Sequence, residues 1–279
     1  MIPPPRRVLL TDPAYFQVDY VINPHMAGHI GGVDPARARA QWRALRDAYA
    51  GLGFAVEVVP AVSGLPDMVF CANQILPIRR PDGSHVAVAS RMHTPQRAPE
   101  VTYYAEYFTS IGYEVLRLDD DLPGDFEGMG DALWHPGAYK LYGGYGYRTD
   151  RAVYERLARA LDVEVVALEL VDRDFYHLDT CLSLLDAATA LYYPGAFSAD
   201  GRRALARHVP HLLAVPEPEA RRGFACNAHC PDGRHVLLQA GSPVTERLLR
   251  GAGFAPRPLD TGEFIKAGGS VFCMKLAYW

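Results

Sequence analysis

Five stretches of helical periodicity recur along the chain at nearly even spacing, each followed by runs with strand character. They open near residues 34, 99, 149, 198 and 242, giving intervals of 65, 50, 49 and 44 residues. In "DPARARAQWRALRDAYAGLG", Asp34 is a good N-cap and Pro35 fits the first helical position. Trp42, Leu45, Tyr49 and Leu52 then recur at helical spacing, and Gly51 and Gly53 mark the end. "PEVTYYAEYFTSIG" puts Tyr103, Tyr107 and Ile111 on one face. "TDRAVYERLARALD" is expected to be capped by Thr149, with Val153, Leu157 and Leu161 inward. "SADGRRALARHV" is a weaker helix because Gly201 sits inside it, and Ser242-Pro243 opens the fifth.

After the helices come "AVEVVPAV", "EVLRLD", "VEVVALELV", "HLLAVP" and "FAPRPLD", all strand-like. Further strand runs fall in "MVFCANQILPI", "HVAVAS", "DALWHPGAYKLYGGYG", "LSLLDAATALYYP" and "HVLLQAG". Strands outnumber helices too heavily for a doubly wound sheet, which alternates one with one. A period near 50 points instead to a radial array. The expectation is a single α/β domain over residues 1–279, a five-bladed propeller of pseudo-fivefold ββαβ repeats. At 49% hydrophobic, the chain can bury a sizeable core.

The net charge of −4 and the absence of a basic stripe argue against nucleic acid. "MIPPPRRVLL" lacks the apolar region of a secretory signal, and no run approaches 18 apolar residues, so no membrane span is expected. Five scattered cysteines suit a reducing compartment, and the expectation is cytoplasmic. Self-association into a homo-oligomer is compatible with the sequence.

Unusual polar residues collect at one place in each unit: Asp67 and Asn73, Glu127 and Asp131, His177 and Asp179, Cys226 and Asn227, Ser270 and Cys273. In a radial array, equivalent positions lie around one axis and converge on one pocket. "FYHLDTC" raises the question of a self-contained triad. Read as a strand, it points His177, Asp179 and Cys181 to one side, but puts Cys181 about 13 Å from His177. Cys71 and Cys181 lie in apolar runs and read as core. Cys226 and Cys230 lack the second matching pair of a zinc site, and no metal is expected. Cys273 follows "AGGS", which allows close backbone approach to a ligand.

The ordered set "DMVFCAN", "FEGMGDAL", "YGYRTD", "FYHLDTC" and "GGSVFCM" resembles the amidinotransferase/dimethylargininase superfamily of guanidine-modifying enzymes. The likeness spans almost the whole chain, and that family's fold is a fivefold α/β propeller. The resemblance implies Cys273 as nucleophile, His177 as general acid/base and Glu127 as the carboxylate supporting it. It implies Asp67, Asn73, Asp179 and Ser270 around the substrate, with Arg97 and Arg148 holding its carboxylate. Asp19 and Asn23 match a mobile lid. The implied substrate is arginine or an Nω-methylated arginine, with no cofactor. Asn73, a neutral amide where many relatives carry Asp, resembles the arginine dihydrolases, which take arginine to ornithine, carbon dioxide and two ammonia. Those relatives usually carry Thr where this chain has Cys71.

The residue types suit the chemistry. A guanidinium carbon is a poor electrophile, so carboxylates and amides must hold its flat donor face in line with a thiolate. His177 would protonate the departing amine and then activate water on a covalent S-amidino intermediate. The alternatives are dimethylargininase activity, amidino transfer to an amine, and non-catalytic arginine binding.

Overall fold

The computed structural model describes residues 3–118 and 124–279. The expected strand "EVLRLD" runs to Asp119, which lies outside them, as do Met1 and Ile2 of the N-terminal stretch.

The strands form five small sheets, and four share one plan: an antiparallel pair, then a parallel neighbour reached through a helix. Ile75–Arg79 pairs antiparallel with His85–Ala89, which pairs parallel with Glu114–Arg117. The crossover is the helix Glu100–Ser110. Ala132–Trp134, Lys140–Tyr145 and Glu164–Glu169 repeat the plan through Arg151–Leu161. Leu182–Leu184, Thr189–Tyr192 and His211–Ala214 repeat it through Ala199–His208. In the next unit His235–Gln239 pairs parallel with Ala255–Leu259, and its antiparallel member shrinks to a bridge between His229 and Leu237. The remaining sheet joins the two ends of the chain. Leu276–Tyr278 lies antiparallel to Arg7–Thr11, and Arg7 in turn pairs parallel with Ala55. A single α/β domain results, closed by its own termini.

Local signals explain the helices. Asp34 caps the helix Pro35–Gly51, accepting from the N–H groups of Ala36 and Arg37. Ala38, Trp42, Leu45 and Tyr49 form its buried face. They pack in one cluster with Val8, Leu10, Phe264, Val271 and Cys273, so this helix braces the segment that carries the cysteine. Each such side chain contributes about 1.5–3 kcal/mol by leaving water. Val153, Leu157 and Leu161 are buried as their spacing predicts.

Several local expectations are corrected. In Glu100–Ser110 the inward face is Val101, Tyr104, Ala105 and Phe108, while Tyr103 and Ile111 are exposed. Tyrosine's amphipathic ring misleads a reading that counts it as apolar. The helix Arg151–Leu161 is preceded by Asp150, and the Thr149 hydroxyl donates to Asp131 instead of capping. "MVFCANQILPI" is not one strand: a 3₁₀ turn at Pro66–Val69 precedes the strand that begins at Ile75. "HLDTC" is likewise a 3₁₀ turn, Leu178–Thr180, and the strand starts at Leu182. The turn brings the Cys181 sulfur within 3.9 Å of the His177 carbonyl oxygen, far closer than a strand would allow.

Candidate active site

Short turns carry the site, each locked by contacts from another unit. Asp131 fixes the turn of His177: its Oδ1 accepts from the Leu178 N–H at 2.9 Å, and its Oδ2 from the Thr149 hydroxyl. Glu127 stands before the helical turn Gly128–Asp131. Gly128 has φ +52°, and a Cβ there would lie 2.8 Å from the Asn73 carbonyl oxygen. Only glycine lets these two segments meet.

His177, Glu127 and Asn73 are brought together. His177 Nε2 lies 2.6 Å from Glu127 Oε2, and its Nδ1 lies 3.4 Å from Asn73 Nδ2. Glu127 also accepts from the His93 N–H and from Arg148. Burial alone would lift the Glu127 carboxyl. The hydrogen bond from His177 and the charges of His177, Arg148 and Arg97 outweigh it, holding the carboxyl at about 2. A permanent carboxylate thus faces one edge of the imidazole.

Cys273 sits across from them, 3% exposed. Its Sγ receives the Asn227 Nδ2 hydrogen bond at 3.1 Å and faces Asp179 Oδ2 at 3.1 Å. Burial and the adjacent Asp179 charge push the thiol well above its usual range, so it rests protonated. The parity argument placed His177, Asp179 and Cys181 on one face. Instead Asp179 holds the Cys273 thiol, while Cys181 turns to backbone carbonyls in the core.

Asn227 was grouped with the polar clusters, but sequence alone gave it no task. Its Oδ1 accepts from the N–H groups of Ser270, Phe272 and Cys273, while its Nδ2 reaches the Asp179 carbonyl and the thiol. One side chain therefore shapes the whole cysteine turn. Asn227→Ala strands these buried donors and is expected to cost about 3 kcal/mol or more, read as a lowered denaturation midpoint. A loss under about 1 kcal/mol would show that the turn holds itself.

Burial lifts the Asp179 carboxyl to about 7, against the pull of Cys273, Lys275 and Asn227. A carboxyl raised from its ordinary 3.8 contributes stability that is complete below that value and is lost as pH climbs to about 7. Asp179→Asn removes this dependence. Its thermal midpoint should therefore fall less than the wild type's between pH 4 and pH 7. Parallel pH curves for the two proteins would contradict the assignment.

Asp67, Asn73, Arg97, Arg148, Asn23, His177 and Cys273 line one small cavity of about 10 Å³, the room of a single water. Tyr176, Ile22, Met26, Phe70, Ala267, Gly268 and Gly269 complete the wall, and sequence reading missed these. Asp67 is buried; Tyr20 donates to its Oδ2 at 2.9 Å, and its Oδ1 has no partner among the described residues. Arg97 lines the cavity and also braces its wall. Its hydrogen bonds go to Glu100, Asn73 Oδ1 at 2.9 Å, and the carbonyls of Asp67 and Phe70. It orients Asn73 and does not reach the adjoining vestibule, an open pocket lined by Ile22, Asn23, Tyr147, Arg148, Arg173 and Tyr176 among others. Arg148 does, lying over the Tyr176 ring and donating to the Ile22 carbonyl at 2.7 Å.

Asp19 is exposed and lines neither cavity nor vestibule. Ser270 turns its hydroxyl to Thr261 rather than to the cavity. Cys71 is core, its thiol against the carbonyls of Leu9 and Met274, so its departure from Thr does not touch the site. The segment around Asn23 is clasped shut: Asn23 Nδ2 donates to Ala267 O and His25 Nε2 meets Asp174 O.

A family described as N,N dimethylarginine dimethylhydrolase, eukaryotic, matches residues 31–277. The chain is 39% identical over 274 residues to the N(G),N(G)-dimethylarginine dimethylaminohydrolase of Mycobacterium tuberculosis, covering 98% of this chain and 86% of that protein. It is 38% identical to the bifunctional arginine dihydrolase/ornithine cyclodeaminase ArgZ of Synechocystis, spanning 97% of this chain but only 37% of ArgZ. The N-terminal domain of ArgZ, solved as a cysteine-to-serine variant bound to substrate, superposes with a TM-score of 0.90 at 37% identity, covering 97% of each chain. This chain belongs to the dimethylarginine dimethylaminohydrolase/arginine dihydrolase family of the amidinotransferase superfamily, hydrolases of amidine C–N bonds.

Proposed function

We propose that this chain hydrolyses the guanidinium group of L-arginine, through citrulline, to ornithine, carbon dioxide and two ammonia. The observation that supports it most is the pairing of Asp67 with Asn73 in the cavity wall. Asp67 offers a buried, unpartnered carboxylate oxygen that suits a guanidinium donor. Asn73 is a neutral amide held beside His177 by Arg97. An ionised Asp accepts only and suits a cation, whereas an amide both accepts and donates. Asn73 can therefore hold a charged guanidinium first and a neutral ureido group second.

In this reading the Cys273 thiolate attacks the guanidinium carbon. Approach of the cationic substrate favours passage of the thiol proton to Asp179 Oδ2, 3.1 Å away. His177, backed by the Glu127 carboxylate, protonates the departing ammonia and leaves an S-amidino adduct on Cys273. The same imidazole then takes a proton from water, which releases citrulline. A second round expels the second ammonia from the ureido group. Water cleaves the resulting thiocarbamate, and the carbamate decomposes to carbon dioxide and ornithine. Arg148 at the vestibule receives the substrate carboxylate, and the Asn23 segment closes over it. We assign the five sheets as blades of a five-bladed propeller around this site. The free thiols suit a cytoplasmic setting.

The second reading is dimethylargininase activity, favoured by the family match and the mycobacterial relative. Separate incubations with arginine, citrulline and dimethylarginine decide between them. The dihydrolase reading predicts two ammonia per ornithine from arginine. Citrulline accumulating as the stable end product would sink it, and turnover of dimethylarginine alone would establish the alternative. Asn73→Asp is expected to stop at citrulline, cutting ornithine formation at least tenfold. Unchanged ornithine yield would remove Asn73 from substrate choice.

A further inference from the structure

A second, larger cavity of about 330 Å³ shares no lining residue with the first except through the chain segments that connect them. Three segments leave the site at Asp131, Asp179 and Cys273 and arrive at this cavity at Trp134, Leu184 and Ala277. It begins beside the site, since Met129, Phe272 and Lys275 of its lining flank Asp131 and Cys273 in the chain. Trp134, Trp279 and Phe272 give it aromatic walls, and Met129 and Leu133 are buried beneath.

Lys275 belongs to its lining. The residue is fully buried, and its Nζ has no hydrogen-bond partner among the described residues. The amine rests 3.1 Å from the centre of the Phe272 ring, a contact that only partly replaces water. A buried ammonium without an acceptor is costly, and burial pulls this amine down to about 7. The cavity's own acids cannot serve it. Asp186 Oδ1 accepts from Ala188 and Thr189 N–H groups, and Asp232 pairs with His235. His135 and His229 are both pushed toward the neutral form by burial. From the catalytic side Asp179 attracts the amine, but its Oδ2 is engaged with Cys273 and burial lifts its carboxyl to about 7; on the cavity side what is missing is an anion with an apolar body.

We propose that this cavity binds a small monocarboxylate whose carboxylate pairs with Lys275 and whose apolar body packs against Trp134, Trp279 and Phe272. The four-carbon stem of lysine lets the amine swing from the ring face to the ligand. No assigned catalytic or substrate-binding residue lines this cavity, and the inference is independent of which guanidine the enzyme hydrolyses.

Titration of the full chain with phenylacetate, against phenylacetamide as the uncharged isostere, tests it. Tryptophan fluorescence reports on Trp134 and Trp279, and calorimetry gives affinity without relying on the dye-like residues. Phenylacetate should bind saturably and at least tenfold more tightly than the amide. Lys275→Met should bring the two ligands to the same weak affinity. Ala187→Phe, at the exposed rim, should weaken both, and it tests the cavity should the lysine variant misfold. Equal affinity for acid and amide, undiminished phenylacetate binding in either variant, or displacement by L-arginine would overturn the proposal. The last outcome would place the binding in the catalytic cleft.

Discussion

Cys273→Ser is expected to lower turnover of arginine by on the order of 10⁴-fold while leaving the fold intact. Serine keeps the size of the side chain and can still accept the Asn227 hydrogen bond seen at the sulfur. It cannot supply a comparable nucleophile, because nothing in the contacts of Cys273 acts as a strong base toward a hydroxyl. The neighbour is Asp179, whose own carboxyl is lifted to about 7 by burial. The thiol is different: its ionisation is within reach once a cationic substrate enters the buried site. Substrate affinity should change little, since Asp67, Asn73 and Arg148 stay in place. The readouts are kcat for turnover and calorimetric binding of arginine for affinity. Equal turnover by wild type and variant would remove Cys273 from the chemistry.

The second large effect is expected at His177. His177→Ala should cost about 10³-fold in kcat, because both the leaving amine and the attacking water lose their proton carrier. The variant also leaves Glu127 with only Arg148 and the His93 N–H as partners. Glu127 loses its strongest stabilising hydrogen bond, so its carboxyl should rise from about 2. A carboxyl depressed in the folded state contributes stability above its unfolded value, lost as pH falls through the folded one. Wild type should therefore keep this contribution to lower pH than the variant, between 4.5 and about 2. Chemical denaturation across that window separates the loss of catalysis from a loss of structure. Should kcat fall while exogenous imidazole restores part of it, the proton-carrier role stands. A variant with wild-type kcat would end it.

How much of this was legible in the sequence depends on the range of the forces involved. The five helices and the strands that follow them were legible, because each helix and each long strand carries its own local signal. The cap at Asp34 and the stripe of Trp42, Leu45 and Tyr49 need no distant partner to be read. The site-bearing turns were not legible. "FYHLDTC" alternates like a strand, yet Asp131 from another unit pulls it into a 3₁₀ turn. "MVFCANQ" likewise bends where Arg97 draws in the carbonyls of Asp67 and Phe70. Residues at strand and turn boundaries follow tertiary hydrogen bonds, not propensity. The same limit explains Asn227 and Lys275. The first looked like one more polar residue in a cluster, and only the structure shows three backbone N–H groups converging on it. The second sits in the apolar run "VFCMKLAYW", where nothing local reveals an amine sealed without a partner.

The functional residues that the family resemblance supplied also sort themselves physically. Cys273, His177, Asn73 and Asp67 meet around one cavity, and Glu127 stands behind His177. Asp19 and Ser270 do not reach it, and Arg97 serves Asn73 rather than the vestibule. The division follows position: Asp19 is exposed away from the cavity, the Ser270 hydroxyl is engaged by Thr261, and Arg97 holds Asn73.

The central claim is that the guanidinium carbon passes through a covalent bond to Cys273. Arginine labelled with carbon-14 in its guanidino group, mixed with wild-type enzyme and acid-quenched within one turnover, tests it most directly. Label should appear on the peptide containing Cys273 and be absent when Cys273→Ser is used. Turnover with no label on that peptide at any quench time, or label on Cys181 or Cys226 instead, would contradict the account.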